Sequence, residues 1–284
     1  MTEKLLASFA KLNLCLEVGL LRSDSYHEIE SVLTTISLKD DVIVKKALGK
    51  ISVRCDSESV PVDKTNIAWK AARLFLEKFS LKGGVEIEIR KKIPVGSGMG
   101  GGSSNAAAVL KGMAELWGLN LSRQMLLGLS ALLGSDVPFF VEGGVAIARG
   151  RGEKLSRLAG LPEMWFALVN PGFAVSTSWA YGEAEKIGLT RNAGCNNMLL
   201  IGIEHGDIGL IARCIHNSLE DVVVRNYPIV GHLKELMISL GALGSAMSGS
   251  GPTIFGVFKT QESAEEAVDK LTALGLSGWV AKPV

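Results

Sequence analysis

Leu12, Leu14 and Leu16 interleave with Lys11, Asn13 and Cys15, which is the period of a strand with one apolar and one mixed face. Lys11 and Asn13 then point the same way, ~7 Å apart. Periodicity alone reads this lysine as a solvated edge charge. Arg22-Ser23-Asp24-Ser25 predicts a turn before Tyr26-His27-Glu28, and Val42-Ile43-Val44 and Ile51-Ser52-Val53 predict short strands. After Thr65-Asn66, the apolar residues Ile67, Ala71, Leu74, Phe75 and Phe79 follow the helical period, and Gly83-Gly84 end the segment. Val85 to Arg90 alternates strictly, as an antiparallel strand with one wet face does.

The stretch from Ile93 to Ala108 is different in kind. Five of the seven residues from Gly96 to Gly102 lack a Cβ, so the backbone can take positive φ and present its N–H groups unobstructed. A helix follows at once, with Ala106, Val109, Leu110, Met113, Leu116 and Trp117 on one face and Gly118 as its C-terminal signal. Free N–H groups and the helix dipole favour the same negative charge, so the loop reads as a cradle for a phosphate chain rather than a flexible linker. Ser103 or Ser104 is placed to cap the helix and touch that phosphate.

Gly96-Ser97-Gly98-Met99-Gly100-Gly101 literally satisfies GxGxxG, the dinucleotide fingerprint. That fingerprint follows a doubly buried parallel strand and precedes an acid about 20 residues on that ends the next strand. Here the preceding strand is amphipathic, and Glu115 falls inside a helix. A Walker A loop lacks its GK[ST], and there is no HRD or DFG of a protein kinase.

A second helix is predicted from Ser122 to Leu133, ending at Gly134. Ser135-Asp136-Val137-Pro138-Phe139-Phe140 then sets an acid in a tight turn among apolar residues. Asp136 reads either as a self-capping turn residue or as a partly buried carboxylate in need of a cation, for which Lys11 is a candidate. Val145 to Ala148 reads as a strand. The polar break Arg149-Gly150-Arg151-Gly152-Glu153 marks a domain boundary, giving domains 1–153 and 154–284. The second half opens with a strand, Trp165 to Val169, and the loop Asn170 to Phe173. Helical patterns lie around Trp179 to Ile187, Ile208 to His216 and Ile229 to Leu240. A second small-residue loop, Gly244 to Pro252, leads into the strand Thr253 to Phe258, a helix from about Glu262 to Leu274, and a closing strand near Trp279 to Ala281. Strand and helix alternating in this way predict an α+β fold. Two glycine loops, one per half, suggest a site between the halves.

Composition narrows the partners. The 284 residues, 47% hydrophobic and 21% charged, suit one large globular domain or two ordinary ones. A net charge of +1 recommends neither nucleic acid nor a membrane surface, which call for a basic excess. No signal peptide or membrane-spanning run is apparent, so a cytoplasmic location is expected. Cys15, Cys55, Cys195 and Cys214 form no CxxC pair, and His27, His205, His216 and His232 are scattered. Reduced thiols and no dedicated protein-bound metal site follow.

Ala10-Lys11-Leu12-Asn13-Leu14, Pro94 through Ala108, and Ser248-Gly249-Ser250-Gly251-Pro252 resemble the three motifs of the GHMP kinase superfamily, small-molecule kinases with neither a Walker A loop nor the protein-kinase loop. Within it, Asp24 to Glu30, Gly134 to Phe140 and Asn217-Ser218-Leu219-Glu220 are similar to the branch that phosphorylates the 2-hydroxyl of 4-diphosphocytidyl-2-C-methyl-D-erythritol with ATP, a step of the non-mevalonate isoprenoid pathway. The similarity spans nearly the whole chain in order.

The resemblance implies two domains, the first like domain 2 of ribosomal protein S5 and the second ferredoxin-like, with the active site in the cleft between them. It implies Lys11 and Asp136 as the catalytic pair. Pro94, Gly96, Ser97, Gly98, Met99, Gly100, Gly101, Gly102, Ser103 and Ser104 would hold ATP, with Mg²⁺ carried in on it, and Asn66 would lie near the adenine. His27 would hydrogen-bond the cytosine and Tyr26 stack on it, with Asn13, Thr177 and Tyr181 also on the substrate side. The partners implied are ATP and the cytidine diphosphate-linked alcohol, acting on a monomer or weak homodimer. Alternatives are a mevalonate or homoserine type of kinase, or a non-catalytic ligand sensor of the same fold. Phe9, Ser25 and Met99 stand where proline, glycine and leucine are usual. If the turn before Tyr26 requires positive φ, Ser25 carries it at a cost.

Overall fold

The computed structural model describes residues 2–188 and 197–284. In chain order they form β1 (Glu3–Leu21), β2 (His27–Ala47), β3 (Ser52–Cys55), α1 (Ile67–Lys78), β4 (Gly84–Arg90), α2 (Gly101–Leu116), α3 (Arg123–Ala131), α4 (Val137–Glu142), β5 (Val145–Gly150) and β6 (Lys154–Arg157). Then come β7 (Trp165–Asn170), α5 (Thr177–Lys186), α6 (Asn197–His205), α7 (Ile208–Cys214), β8 (His216–Asn217), α8 (Glu220–Asn226), α9 (Pro228–Ser239), β9 (Gly244–Met247), β10 (Ile254–Phe258), α10 (Gln261–Ala273) and β11 (Ser277–Ala281). This is the expected α+β class.

Contacts divide the chain into two compact units, and the long strands β1 and β2 contribute residues to both. The first unit holds Met1–Ala10, Lys39–Val95 and Gly100–Gly143. In it β4 pairs antiparallel with the C-terminal part of β2 and parallel with β3. The wet face inferred from the alternation of β4 is real: Glu86 and Arg90 are exposed, while Val85, Ile87 and Ile89 are buried. α1 packs on α2, and α2 on α4. The apolar faces of both long helices, including Ala71, Phe75, Val109, Leu110 and Met113, are removed from water.

The second unit holds Lys11–Leu38, Gly96–Met99 and Gly144–Val284. Its four-stranded antiparallel sheet runs β11-β7-β10-β9 and is covered by α9 and α10. One continuous core joins Leu16 and Val18 of β1 to Val169, Leu233, Met237, Phe258 and Leu271. β5 pairs with the N-terminal part of β2 and with β6, and Cys15-Leu16 pair with β8.

Three expectations are corrected. The tight turn expected at Asp136 is confined to Gly134–Val137, closed by the Val137 N–H on the Gly134 carbonyl at 3.3 Å, and from Val137 the chain is a helix with proline in its first turn, where the missing N–H costs nothing. Gly244 to Met247 is a buried strand rather than loop, because small residues there let β9 pair with β10 beneath α9. Cys15 is disulfide-bonded, against the expectation of reduced thiols throughout, whereas Cys55 is a free thiol. The short helices α6 and α8 carried no long periodic run by which to find them.

Candidate active site

Lys11 lies at the centre of the second unit's polar machinery. The strand is buried on both faces from Ala10 to Leu16, and Lys11 is only 5% exposed, so the solvated-edge reading is wrong. Its backbone N–H donates to the Met99 carbonyl at 3.0 Å, which fastens the glycine stretch beside β1. Its ammonium donates to Asn13 Oδ1, and Asn13 Nδ2 donates to Ser31 Oγ at 2.8 Å. Ser31 donates in turn to the Cys15 carbonyl at 2.6 Å. An ammonium has only donors, so this chain fixes which way the Asn13 amide faces.

The two glycine loops meet over that lysine. Ser248 Oγ donates to the Gly98 carbonyl at 3.2 Å, and the Thr253 N–H donates to the Ser97 carbonyl at 3.4 Å. A Cβ at Gly98, whose φ is +77°, would stand 2.0 Å from the Ser248 carbonyl oxygen. One at Gly249, φ +56°, would stand 2.9 Å from Lys11 Nζ and 2.8 Å from the Gly98 carbonyl oxygen. Only glycine lets these backbones approach one another and the lysine.

The third motif is held from below by residues whose spacing gave no structural role. Asn217 Nδ2 donates to the carbonyls of Met247 and Gly249, both at 2.7 Å, while its Oδ1 accepts from the Leu219 N–H. Glu220 accepts from the Met247 N–H at 2.9 Å and pairs with Lys234. Thr177 Oγ1 lies 3.0 Å from Ser250 Oγ, which places Thr177 at the rim of this loop.

In the first unit the continuation of the glycine stretch becomes α2. Its N-cap is Gly100 in the left-handed conformation, φ +71°, with no side-chain cap. Ser103 and Ser104 therefore sit inside the first turn and do not cap it. The N–H groups of Gly101, Gly102 and Ser103 precede the first carbonyl-bonded N–H, that of Ser104 to Gly100 at 2.9 Å, and are the donors that a helix N-terminus offers an anion. Half-buried Pro94 leads into the stretch. Asn66 is the N-cap of α1: its Oδ1 accepts from the Ala68 N–H at 2.8 Å and its Nδ2 donates to the Pro61 carbonyl at 2.6 Å.

Asp136, also in the first unit, is half-buried at the N-cap of α4, yet its side chain makes no capping hydrogen bond. The self-capping alternative is thereby excluded, and the helix N-terminus favours the carboxylate charge. At the other end of α4, Lys111 of α2 donates to the carbonyls of Phe140 at 2.9 Å and Val141 at 3.2 Å. Burial pushes this ammonium below the usual lysine range, against a smaller opposing pull from Glu115. Lys111 thus steadies the helix that presents Asp136, and no spacing rule points to it.

Tyr26 and His27 follow the tight turn of the second unit. Ser25 donates to the Arg22 carbonyl at 3.1 Å, the Tyr26 N–H to Asp24 Oδ1 at 3.2 Å, and the Arg22 N–H to the Tyr26 carbonyl at 2.7 Å. Ser25 has φ +64°, so the turn does require the conformation that glycine adopts freely. Arg22 donates to Asp24 and to Glu28, and its hydrogen bond holds the Asp24 carboxyl below the usual range. Tyr26 is 49% exposed, with the Arg151 guanidinium 5.1 Å from its ring centre. His27 is 8% exposed and its ring lies 5.6 Å from that of Tyr181, tilted by 33°. Its Nε2 is buried with no hydrogen-bond partner among the described residues.

The structure therefore gathers Lys11, Asn13, Gly96 to Met99, Thr177 and the third motif, and sets His27 against Tyr181, one turn along α5 from Thr177. Asn66, Gly100 to Ser104 and Asp136 belong to the first unit.

Comparison with known proteins identifies the class first. Residues 66–144 match the family described as GHMP kinases N terminal domain, and residues 199–275 match GHMP kinases C terminal. The fold is shared with a homoserine kinase from Cytophaga hutchinsonii, TM-score 0.74 at 20% identity, covering 100% of this chain and 94% of that one. The chain is similar to a 4-diphosphocytidyl-2-C-methyl-D-erythritol kinase of Shouchella clausii, 44% identical with 89% of this chain and 84% of that protein covered. It is likewise similar to the kinase of the same name from Acetivibrio thermocellus, 40% identical with 91% of each covered. A crystal structure of 4-(cytidine 5'-diphospho)-2C-methyl-D-erythritol kinase superposes with a TM-score of 0.83 at 33% identity, covering 98% of both chains. The chain belongs to the 4-diphosphocytidyl-2-C-methyl-D-erythritol kinase family of GHMP kinases.

Proposed function

We propose that this kinase transfers the γ-phosphoryl group of ATP to the 2-hydroxyl of 4-diphosphocytidyl-2-C-methyl-D-erythritol. Asp136 takes the hydroxyl proton as the oxygen–phosphorus bond forms and the bond to ADP breaks, a role worth roughly 10²- to 10⁴-fold in rate. Lys11 offsets charge on the transferred group, and its ordered bond to Asn13 holds the ammonium for that purpose. The N–H groups from Gly96 to Ser104 hold the triphosphate, with Pro94 setting the loop's entry and Asn66 near the adenine. Most of the acceleration comes from this positioning and electrostatics, since phosphoryl transfer leaves little covalent work for the protein.

On the acceptor side His27 hydrogen-bonds the cytosine and Tyr26 stacks on it, with Asn13, Thr177 and Tyr181 completing the contacts. The observation that carries this half is the buried, unpartnered Nε2 of His27. Leaving such a group unmet costs about 1–3 kcal/mol, which a base edge would recover.

Among the described residues no three His, Cys, Asp or Glu side chains come together as a metal cage. Mg²⁺ would arrive on the phosphate oxygens of ATP and neutralise the transferring charge there. A division at residues 153 and 154 is supported by the two family matches, which fall on either side of it. Among the described residues no helix is long and apolar enough to cross a membrane. A monomer or weak homodimer with no nucleic-acid partner completes the reading. A crystal structure with the cytidylyl alcohol and an unreactive ATP analogue tests it. Asp136 should lie near ~3 Å from the accepting oxygen and His27 Nε2 on the cytosine, and neither contact forming would overturn the assignment.

A further inference from the structure

Asp40 is the most deeply buried carboxylate that the proposed chemistry leaves unused, with 0% exposure. It stands on the inward face of β2 in register with Val42 and Val44. Its Oδ1 accepts from the backbone N–H groups of Lys92 at 2.8 Å and Ile93 at 2.9 Å. Its Oδ2 accepts from the Lys91 ammonium and from Asn105 Nδ2, the latter at 2.9 Å. Lys91 to Ile93 lead directly into the glycine stretch, and Asn105 follows it on α2. One carboxylate thus anchors both stems of the loop.

The same carboxylate sets a direction. It offers only acceptors to these four donors, so Asn105 must turn its NH₂ group toward it. The second hydrogen of that NH₂ goes to Ser8 Oγ at 2.8 Å. Ser8 has a single hydroxyl hydrogen, and with its oxygen already accepting it donates to Ser104 Oγ at 2.8 Å. Ser104 accepts from Ser8 and so keeps its own hydrogen to give away. It does so in the first turn of α2, where an anion is favoured.

We propose that Asp40 is a positioning residue for the phosphate loop: it fixes the two stems and, through Asn105 and Ser8, polarises the Ser104 hydroxyl as a donor toward bound phosphate. This rests on the reading that the loop binds ATP. The competing account is a buried charge that serves stability alone.

Asp40→Asn separates the two accounts. The new amide forces Asn105 to present its oxygen, Ser8 then donates backwards to Asn105, and Ser104 must donate to Ser8 instead of to phosphate. Ser8→Ala cuts the relay without touching the buried charge, and it decides the matter if Asp40→Asn does not fold. Calorimetric titration with Mg-ADP should show affinity falling about tenfold or more in Asp40→Asn and about threefold or more in Ser8→Ala, while KM for the alcohol acceptor stays within threefold. ADP affinity within twofold of the parent in folded variants overturns the proposal. So does a loss shared equally by ADP and the alcohol, the mark of a merely structural residue. If the parent itself binds no Mg-ADP, the ATP reading fails and this inference falls with it.

Discussion

Around Lys11, the polar groups of Asn13, Ser31, Asn217 and Ser248 each meet a partner, and glycines bring two loops to within a Cβ radius of each other. Around His27, an aromatic ring stands half in water, a serine holds a left-handed turn and a buried nitrogen bonds to nothing described. Both regions lie in the second unit. The difference follows from what each is proposed to hold. A phosphate chain is the same for every GHMP kinase, so its cradle is built largely from backbone held in place before binding. The acceptor is particular to one branch, so its recognition is left to a few side chains whose bonds are finished by the ligand. Preorganisation lowers the barrier at the first end, and an unmet polar group sharpens selectivity at the second.

The sharpest way to break that contrast is Lys11→Met. Removing the ammonium, or removing the base with Asp136→Asn, should lower kcat by roughly 10²- to 10⁴-fold. Calorimetry should find ADP and the alcohol still bound in Asp136→Asn. A kcat within a few-fold of the parent would make the built end a scaffold only. Gly98→Ala should follow in size. The left-handed φ and the 2.0 Å approach to Ser248 together cost roughly 2–4 kcal/mol, read as a fall in the denaturation midpoint. A melt unchanged by that methyl would mean that the loops do not meet as described.

His27→Ala acts at the open end. It should raise KM for the cytidylyl alcohol about tenfold to hundredfold and leave KM for ATP within twofold. Equal changes in both constants would erase the division of labour. The smallest effect is expected at Ser25→Gly, which relieves the positive φ. It should add about 1 kcal/mol of stability and raise Tm by roughly 2–4 °C for a chain of this size, and a loss of stability would show that the serine side chain itself supports the turn.

Much of this architecture was legible because local pattern and tertiary burial agree. The alternation of Val85 to Arg90 marked β4 and dismissed the dinucleotide fold that Gly96 to Gly101 spelled out. The apolar periods placed α1 at its observed start and found α2, which begins at Gly101, three to four residues before the start that a cap at Ser103 or Ser104 implied. Lys11 was misread by periodicity because β1 is covered on both faces, which no alternation reveals. Residues Val137 to Glu142 form too short a helix to show a period. Ser25 was flagged from its place in the motif, and its φ answers that flag. Asp40 had a signal that went unused, a charge on the apolar face of a strand shared with Val42 and Val44. Its partners Asn105 and Ser8 had none, because a hydrogen bond across 97 positions exists only in the folded chain. Lys111 stayed hidden likewise, and Asn217 stood in a motif without a structural role, since the acceptors of both are backbone carbonyls that composition cannot display.

The central claim is the identity of the alcohol. Purified protein incubated with Mg-ATP and, separately, 4-diphosphocytidyl-2-C-methyl-D-erythritol, mevalonate and homoserine can be followed by ADP release and by phosphorus NMR of the product. The account predicts ADP release and a new 2-phosphate with the cytidylyl alcohol alone. ADP release with mevalonate or homoserine, and none with the cytidylyl alcohol, would contradict it.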